Sequence, residues 1–323
     1  MSRKIYVSDI HFDNDLMERL SQGAHDCGFQ IEFARTQGDL PENPAEVEII
    51  LGNQPGPVLA AENLKWVCLT SAGLDGFLKR GALKGREDQV ILSNSSGAYG
   101  VSIAEHMVMV TIMMLRRMPE FTAEMSKHVW GEQRAQKSIK DARVTVLGAG
   151  DIGTAYAERV RAFGPASITA VNRSGLRKNP VFDQVMKITD LYQILPETDI
   201  LAMSLPGTPE TTGLIGQEEL ELMPEGSYLV NVGRGNAIDE AALCQALESG
   251  HLAGAALDVM AREPMPADDP LWNAKNIILT PHVSGNMTLP YTCRMIADMF
   301  LEDLARYQEG RPLLHQVDPR RGY

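Results

Sequence analysis

The sequence has no C-x-x-C pair, no long apolar run and no excess of positive charge. Its four cysteines lie far apart along 323 residues, which excludes the common zinc and redox motifs and is typical of reduced, intracellular thiols. The longest largely apolar stretch, Met107–Leu115, is too short to cross a bilayer, and the first residues lack a signal-peptide core. We therefore expect a cytoplasmic protein that does not enter a membrane.

The charge balance excludes further classes of partner. The chain has 30 Lys and Arg residues against 42 Asp and Glu residues, a formal net charge of −12. Because nucleic acids and anionic membranes are bound by clustered Lys and Arg, neither is an expected partner. The length predicts two domains, and an apolar content of 44% is ordinary for a globular protein.

Short apolar runs alternate with longer amphipathic stretches along the whole chain. Such runs of β-branched and aliphatic residues, bounded by turn residues, predict buried parallel strands and hence an α/β fold. The predicted strands are Lys4–Val7, Val47–Leu51, Trp66–Thr70, Val90–Ser93, Val144–Leu147, Ile168–Val171, Ile200–Ser204, Tyr228–Val232, Ala255–Val259 and Ile277–Thr280.

The strongest helix prediction covers Val101–Met118. Ser102 followed by Glu105 is a capping-box pattern, and Pro119 lies just beyond the predicted end. Apolar residues surround most of this helix, so we expect it to be buried on more than one side. It is either an ordinary core helix or one that connects domains or forms a dimer. His106 on this helix is interpreted as a packed histidine rather than a ligand.

A glycine-rich loop follows a predicted strand and opens a helix. Gly148, Gly150 and Gly153 form the pattern G-x-G-x-x-G. The first glycine permits a tight turn, the second lets the backbone approach a pyrophosphate, and the third lets helix and strand pack closely. Free N–H groups and the positive dipole at the start of the helix favour a phosphate. The loop therefore predicts a dinucleotide cofactor held by these glycines with Asp151 and Ile152.

The end of the next predicted strand indicates which dinucleotide is bound. An NAD site usually has Asp or Glu there, which accepts hydrogen bonds from the ribose 2′-hydroxyl. This strand ends instead in Asn172, Arg173 and Ser174. Arg173 can pair with a 2′-phosphate and Ser174 can donate to it, whereas a plain surface charge is the alternative interpretation of Arg173. We therefore expect NADP(H) to be favoured, with NAD(H) possible.

Three polar side chains, Arg234, Glu263 and His282, each come shortly after a predicted strand. Each could be structural by itself, but ligands bind at the carboxyl ends of strands in an open parallel sheet, so we expect all three beside the glycine loop. Together they suit hydride transfer to a carbonyl without a metal. His282 would donate the proton, Glu263 would favour the protonated imidazole, and Arg234 would hold a substrate carboxylate.

The glycine loop, the three polar residues and several further segments together resemble the D-isomer-specific 2-hydroxyacid dehydrogenase family over nearly the whole chain. Besides the glycine loop, the segments are Ser71–Phe77, Ser93–His106, Thr198–Ile215, Met223–Leu243, Gly254–Pro266 and Leu279–Gly285. The resemblance implies two doubly wound parallel-sheet domains of the Rossmann type, with the cofactor domain inserted into the substrate domain. It implies a substrate domain at 1–101 and 288–323, a cofactor domain at 102–287, and a homodimer built largely on the cofactor domains.

The resemblance also implies roles for single residues. Arg234, Glu263 and His282 match the catalytic set of the family. The N–H groups around Ala72 and Gly73 are implied to bind the substrate carboxylate together with Arg234. Further implied cofactor contacts are Pro206, Thr211, Val232, Gly233 and Asp258, of which Asp258 faces the nicotinamide carboxamide.

The leading interpretation is an NADPH-dependent reductase of a small, unphosphorylated 2-oxo acid of the glyoxylate or hydroxypyruvate type. One alternative is a 3-phosphoglycerate dehydrogenase, although Ser71 stands where those enzymes resemble one another in carrying Arg. Another is a dinucleotide-sensing binding protein similar to co-repressors of the same family, although the sequence contains no low-complexity tail. Trp130 is interpreted as a core or interface residue rather than a substrate contact.

Overall fold

Two parallel sheets organise the computed structural model, which describes residues 3–176 and 179–319. The strands of these residues are β1 (Lys4–Val7), β2 (Gln30–Phe33), β3 (Val47–Leu51), β4 (Trp66–Cys68), β5 (Ile91–Ser93), β6 (Arg143–Leu147), β7 (Ser167–Asn172), β8 (Gln184–Lys187), β9 (Ile200–Met203), β10 (Ser227–Asn231), β11 (Leu252–Leu257) and β12 (Ile277–Leu279). Every predicted strand lies in one of them, with ends that differ by at most three residues, and the predicted α/β fold is confirmed.

The helices lie between the strands and after the last one. They are α1 (Asn14–Asp26), α2 (Pro55–Ala60), α3 (Asp75–Lys79), α4 (Gly100–Leu115), α5 (Met118–Ser126), α6 (Asp151–Arg161), α7 (Leu191–Ile194), α8 (Gln217–Leu222), α9 (Glu240–Ser249) and α10 (Pro290–Gln308). None of the described helices is long and apolar enough to cross a bilayer.

The chain divides into two units. The first consists of the chain up to Tyr99 together with the chain from Asn286 onward, and the second is Gly100–Gly285. The observed boundaries therefore fall at 99/100 and 285/286. The predicted boundaries, 101/102 and 287/288, each lie two residues further along the chain.

The first unit contains a five-stranded sheet in the order β2-β1-β3-β4-β5. The chain runs from β1 outward to β2 and then returns to the other side of β1, so the strand order reverses between β1 and β3. One of its cores is built from the strand side chains Tyr6, Ile50 and Val67 with residues of the following helices. Elsewhere in this unit the indole of Trp66 stacks on the ring of Phe300 from α10, 5.3 Å away.

The second unit contains a seven-stranded sheet in the order β12-β11-β10-β9-β6-β7-β8. Its strand order reverses between β6 and β9, which is where an open α/β sheet binds its ligand. The apolar faces of these strands are buried against the helices, with Leu147, Leu201, Leu229 and Leu257 in one continuous core. The loop after β6 carries the three glycines, so the fold places the predicted cofactor loop at this reversal.

The helix prediction was wrong at both ends. α4 begins at Gly100 and ends at Leu115, so Ser102 lies inside the helix rather than capping it. Arg117 adopts the left-handed conformation (φ 58°) and breaks the helix, and Pro119 belongs to the first turn of α5. Proline suits a first helical turn because the N–H that it lacks would have no partner there.

Candidate active site

The three glycines of the loop after β6 are required for three different reasons. Gly148 has a φ of +98°, and a Cβ there would stand 2.9 Å from the Ser204 carbonyl oxygen. A Cβ at Gly153 would stand 2.0 Å from the Gly148 carbonyl oxygen, so helix and loop could not pack. At Gly150 no heavy atom lies within 4 Å of the place that a Cβ would occupy, so the space beside this residue is open.

This loop fits a dinucleotide pyrophosphate. Thr154 N donates to the Gly150 carbonyl, so the N–H groups of Asp151, Ile152 and Gly153 belong to the first turn of α6, where an α-helix offers no partner. Open space at Gly150 and the dipole of α6 let an anion approach these groups. The side chain of Asp151 faces elsewhere, because its carboxylate accepts a hydrogen bond from the Gly100 backbone.

The turn after β7 is shaped by the side chain of Asn172. Its Oδ1 accepts from Gly175 N at 2.7 Å and from Ser174 Oγ at 3.2 Å, and its Nδ2 donates to the Leu176 carbonyl at 3.2 Å. Asn172 therefore fixes the turn that presents Arg173, whose side chain is exposed. No carboxylate occupies the end of this strand, which leaves a guanidinium and a hydroxyl there.

The loops after β9 and β10 pack tightly on each other. Thr211 Oγ donates to the Pro206 carbonyl at 2.7 Å, which closes the loop after β9. Val232 is buried, and a Cβ on Gly233 would stand 2.5 Å from the Leu205 carbonyl oxygen. Pro206, Thr211, Val232 and Gly233 therefore lie at the carboxyl ends of β9 and β10, and their implied contact with a cofactor stays a prediction.

Arg234 lies between two neighbouring loops. A Cβ on Gly207 would stand 3.1 Å from Arg234 Cγ, and one on Gly235 would stand 1.9 Å from the backbone carbon of Met260. Arg234 Nη1 donates to the Gly233 carbonyl at 2.7 Å. Asn231 holds the turn, because its Nδ2 donates to the Arg234 carbonyl at 2.9 Å. The loop of Arg234 thus packs against the loop that leads to Glu263.

Glu263 and His282 form a hydrogen-bonded pair. Glu263 Oε2 lies 2.7 Å from His282 Nδ1, and its Oε1 accepts from Met260 N at 3.0 Å. The carboxylate is therefore oriented by the backbone on one oxygen and by the imidazole on the other. The His282 side chain is 47% exposed, so the edge of the ring that bears Nε2 can meet a ligand.

A buried carboxylate holds the loop that carries His282. Asp258 is 1% exposed, and its Oδ1 accepts from Thr280 Oγ at 2.5 Å and from Val283 N at 3.0 Å. Its Oδ2 accepts from Ser284 N at 3.0 Å. His282 itself has a φ of +53°, a conformation that non-glycine residues adopt mainly where surrounding contacts impose it, often at active sites.

His106 is joined to the same loop. Its Nε2 lies 3.3 Å from Thr280 Oγ, and because that hydroxyl donates to Asp258, His106 is the donor in this contact. Burial lowers the pKa of His106, with the charge of Asp258 acting in the opposite direction. The expectation of a packed histidine agrees with this position on α4.

In the first unit, the segment after β4 aims two amides to the same side. Ser95 N donates to the Ser71 carbonyl at 3.1 Å, and Asn94 Nδ2 donates to the Ala72 carbonyl at 2.6 Å. In a trans peptide the N–H points away from the C=O of the same plane. The N–H groups of Ala72 and Gly73 therefore both point away from the 94–95 segment, as two donors for one anion would.

The comparison with protein families decides the identity. A model of the "D-isomer specific 2-hydroxyacid dehydrogenase, NAD binding domain" matches residues 108–284. The chain belongs to the D-isomer-specific 2-hydroxyacid dehydrogenase family. This confirms the predicted family, and with it the predicted class of enzyme, a nicotinamide-dependent dehydrogenase.

Relatives of this dehydrogenase agree over nearly the full chain. Glyoxylate/hydroxypyruvate reductase A of Salmonella newport (strain SL254) is 30% identical over 87% of this chain and 88% of its own length. A D-isomer specific 2-hydroxyacid dehydrogenase from Xanthobacter autotrophicus Py2, solved with NADPH and MES, is 31% identical with a TM-score of 0.81, covering 100% and 99% of the two chains. An NADPH-dependent glyoxylate/hydroxypyruvate reductase from Sinorhizobium meliloti, solved with NADP and sulfate, is 26% identical with a TM-score of 0.82 over both whole chains.

Two residues of this dehydrogenase site were not singled out from the sequence. Asn231 and Thr280 are buried or half-buried polar residues at the ends of apolar strands, and both hold the loops that carry predicted site residues. A polar residue closing an apolar strand is the signal that could have found them. Within the described ranges, no three His, Cys, Asp or Glu side chains form a set that could bind a metal ion.

Proposed function

We propose that this dehydrogenase reduces a small 2-oxo acid of the glyoxylate or hydroxypyruvate type to the D-2-hydroxy acid, with NADP(H) favoured. The observation that carries the proposal is the Glu263–His282 pair, held at 2.7 Å in the unit whose β6–α6 loop fits a dinucleotide. The glycine loop after β6 would hold a reduced nicotinamide dinucleotide, which would supply the hydride that the carbonyl carbon receives. His282 donates a proton from Nε2 to the carbonyl oxygen as its double bond to carbon is lost.

The side-chain geometry supports this assignment of the proton. Because Nδ1 of His282 faces the Glu263 carboxylate, Nε2 is the ring nitrogen left for a substrate. The carboxylate stabilises the imidazolium that carries the proton to be donated. Asp258 acts through the loop by binding Val283 N and Ser284 N, and its implied contact with the nicotinamide carboxamide stays a prediction.

Arg234 is proposed to bind the substrate carboxylate, and the role of the Ala72 and Gly73 N–H groups in binding it stays a prediction. A guanidinium can bind a carboxylate through two parallel hydrogen bonds, which fixes the adjacent carbonyl. Ser71 brings no positive charge that would favour a second anionic group, and the net charge of −12 disfavours one. These features favour unphosphorylated substrates, as do the names of the relatives, which are glyoxylate/hydroxypyruvate reductases.

The test of this function is a panel of 2-oxo acids with NADPH. We expect the largest kcat/KM for glyoxylate or hydroxypyruvate, ahead of pyruvate, phenylpyruvate and 2-oxoisocaproate, and the D-enantiomer of the product. A tenfold preference for 3-phosphohydroxypyruvate would contradict the argument from Ser71. Absence of cofactor oxidation with every acid would point instead to a dinucleotide-binding protein without this activity.

The cofactor preference is expected to depend on Arg173. Since Asn172 fixes the turn that presents Arg173 and no carboxylate ends β7, a 2′-phosphate finds a cation and a hydroxyl there. The Xanthobacter and Sinorhizobium structures were solved with NADPH and NADP. Arg173→Ala should lower kcat/KM for NADPH about tenfold and leave that for NADH within about twofold, since one charge-assisted hydrogen bond is lost.

Both cofactors are to be compared at a fixed 2-oxo acid concentration. Lys275→Ala is the matched control, because it removes a positive charge just before β12, at the amino end of that strand. Equal use of the two cofactors by the wild type, unchanged in Arg173→Ala, would overturn this preference.

A homodimer is the expected assembly. Trp130 is 99% exposed, and Met125 and Val129 of the same segment are also exposed, which is unusual for large apolar side chains that stay in water. Tryptophan in such positions often anchors a protein interface. Sedimentation equilibrium should give twice the mass of one chain, and Met125→Ser with Trp130→Ser should weaken the association. The control is Leu314→Ser, at an exposed apolar residue of the first unit, which should leave the association unchanged. A monomer at all concentrations of the wild type would contradict the proposal.

A further inference from the structure

A second histidine–carboxylate pair lies in the first unit. His11 Nδ1 is 2.6 Å from Asp9 Oδ1, and the same oxygen accepts the His11 backbone N–H at 3.1 Å. The side chain of His11 is 50% exposed while that of Asp9 is 12% exposed. The pair repeats the features of Glu263–His282: a contact through Nδ1, a carboxylate oriented by a backbone amide, and a half-exposed ring.

Asp9 is anchored by a chain of hydrogen bonds that reaches Ser71. Thr70 Oγ donates to Asp9 Oδ2 at 2.9 Å, and Asn53 Nδ2 donates to Thr70 Oγ at 2.9 Å. Asn53 Oδ1 in turn accepts from Ser71 N at 3.4 Å, while Ser71 Oγ donates to the Gly73 carbonyl at 2.8 Å. His11 is therefore connected, through groups of the same unit, to the segment whose next two amides are predicted to bind the substrate carboxylate.

The topology places this pair where an open sheet binds ligands. Asp9 follows β1 and Asn53 follows β3, the two strands between which the order of the first sheet reverses. The two loops approach closely, since a Cβ on Gly52 (φ +139°) would stand 2.1 Å from Ser8 Oγ. The carboxyl ends of β1, β3 and β4 thus present His11, Asn53 and Ser71 at one edge of one sheet.

The pairing decides what His11 can bind. An ionised carboxylate only accepts hydrogen bonds, so the contact with Asp9 puts the ring hydrogen on Nδ1. In the neutral ring Nε2 is then an acceptor directed away from Asp9, and in the protonated ring it is a donor in the same direction. In either state Nε2 can form a hydrogen bond with a hydroxyl group, and it gains nothing from a hydrogen or a methyl group.

We propose that His11, oriented by Asp9, binds the C3 hydroxyl of the 2-oxo acid. The inference rests on the proposed function and specifies its substrate: hydroxypyruvate is preferred over pyruvate, which has a methyl group at C3, and over glyoxylate, which lacks C3. His11 is thus a specificity-determining residue, and it has no part in the transfer of hydride or proton.

The test compares the three acids in His11→Phe and in the wild type. We expect kcat/KM for hydroxypyruvate to fall about tenfold, the worth of one hydrogen bond, while kcat/KM for glyoxylate and pyruvate changes less than twofold. His11→Gln keeps an acceptor and should recover part of the hydroxypyruvate activity. His25→Phe is the matched control, because His25 is a more exposed histidine of the same unit beside Asp26, and it should change none of the three values.

The outcomes separate this proposal from the proposed function. If His11→Phe lowers kcat/KM for all three acids equally, or leaves the ratio of hydroxypyruvate to pyruvate unchanged, the role of His11 is wrong. If the wild type reduces none of the three, the proposed function itself is wrong. Should His11→Phe fail to fold, Asp9→Asn tests the same contact, since it removes the charge that orients the ring and should lower the same ratio.

Discussion

His282→Asn should lower kcat for 2-oxo acid reduction by about 10²- to 10⁴-fold, the usual contribution of a general acid. Asparagine is the replacement of choice because it tolerates the left-handed backbone (φ +53°) better than most residues, so the loop is not strained by the change. Cofactor affinity, measured by fluorescence titration, should stay within about twofold of the wild type, since the glycine loop that fits the cofactor is untouched. A kcat within tenfold of the wild type would remove His282 from the reaction.

Glu263→Gln separates the charge of the carboxylate from its hydrogen bonds. Glutamine keeps an oxygen for Met260 N, whose donor lies 3.0 Å from Glu263 Oε1, but it lacks the negative charge that stabilises the imidazolium. Reduction needs the protonated ring, so Glu263→Gln should lower kcat about tenfold, the worth of one charge-assisted hydrogen bond. Initial rates at saturating 2-oxo acid and cofactor record this change. A kcat equal to that of the wild type would leave Glu263 a structural part only.

The parallel strands could be predicted because their burial makes them continuous apolar runs. β2 and β8 were missed because they lack such a run. Both lie at the outer edge of a sheet, as β5 and β12 do, but β5 and β12 keep the apolar residues that allowed their prediction. The residues of β2 and β8, QIEF and QVMK, are all half-buried or exposed, and half of them are polar. An edge strand of this kind has no apolar signature, and only its pairing with a neighbour defines it.

The start of α4 shows a second limit. Ser102 and Glu105 have the spacing of a capping box, yet the helix begins before them, at Gly100. The Asp151 carboxylate, 51 residues along the chain, accepts the Gly100 N–H that a local cap would otherwise have satisfied. A cap supplied from a distant part of the fold leaves no trace in the local sequence.

Positions in the site were easier to predict than contacts. The rule that ligands bind at the carboxyl ends of parallel strands was enough to select His282, Glu263 and Arg234 together. It could not tell that Asp258, with the same placement, is buried with its oxygens on Thr280, Val283 and Ser284. Which way a carboxylate turns depends on the path of the next loop, which the spacing of residues does not record.

Arg234 is expected to show the second large effect. Its backbone carbonyl is held by Asn231, its side-chain carbons pack along Gly207, and its Nη1 donates to the Gly233 carbonyl, so the side chain is ordered before any ligand arrives. A carboxylate bound through two charge-assisted hydrogen bonds gains about 3–4 kcal/mol in such a setting, which corresponds to about 10²- to 10³-fold. Arg234→Ala should lower kcat/KM for glyoxylate by that factor.

Arg234→Lys tests whether binding needs the planar pair of guanidinium donors or only the positive charge. Lysine keeps the charge but offers no planar pair of donors, so we expect it to recover less than about a tenth of the lost kcat/KM. Arg262→Lys, an exposed guanidinium on the neighbouring loop, is the matched control and should stay within about twofold of the wild type. KM and kcat are to be measured separately, because a residue that also aligns the carbonyl lowers kcat as well as raising KM. Wild-type values of both in Arg234→Ala would place the substrate carboxylate elsewhere, whereas a raised KM with unchanged kcat would restrict Arg234 to binding.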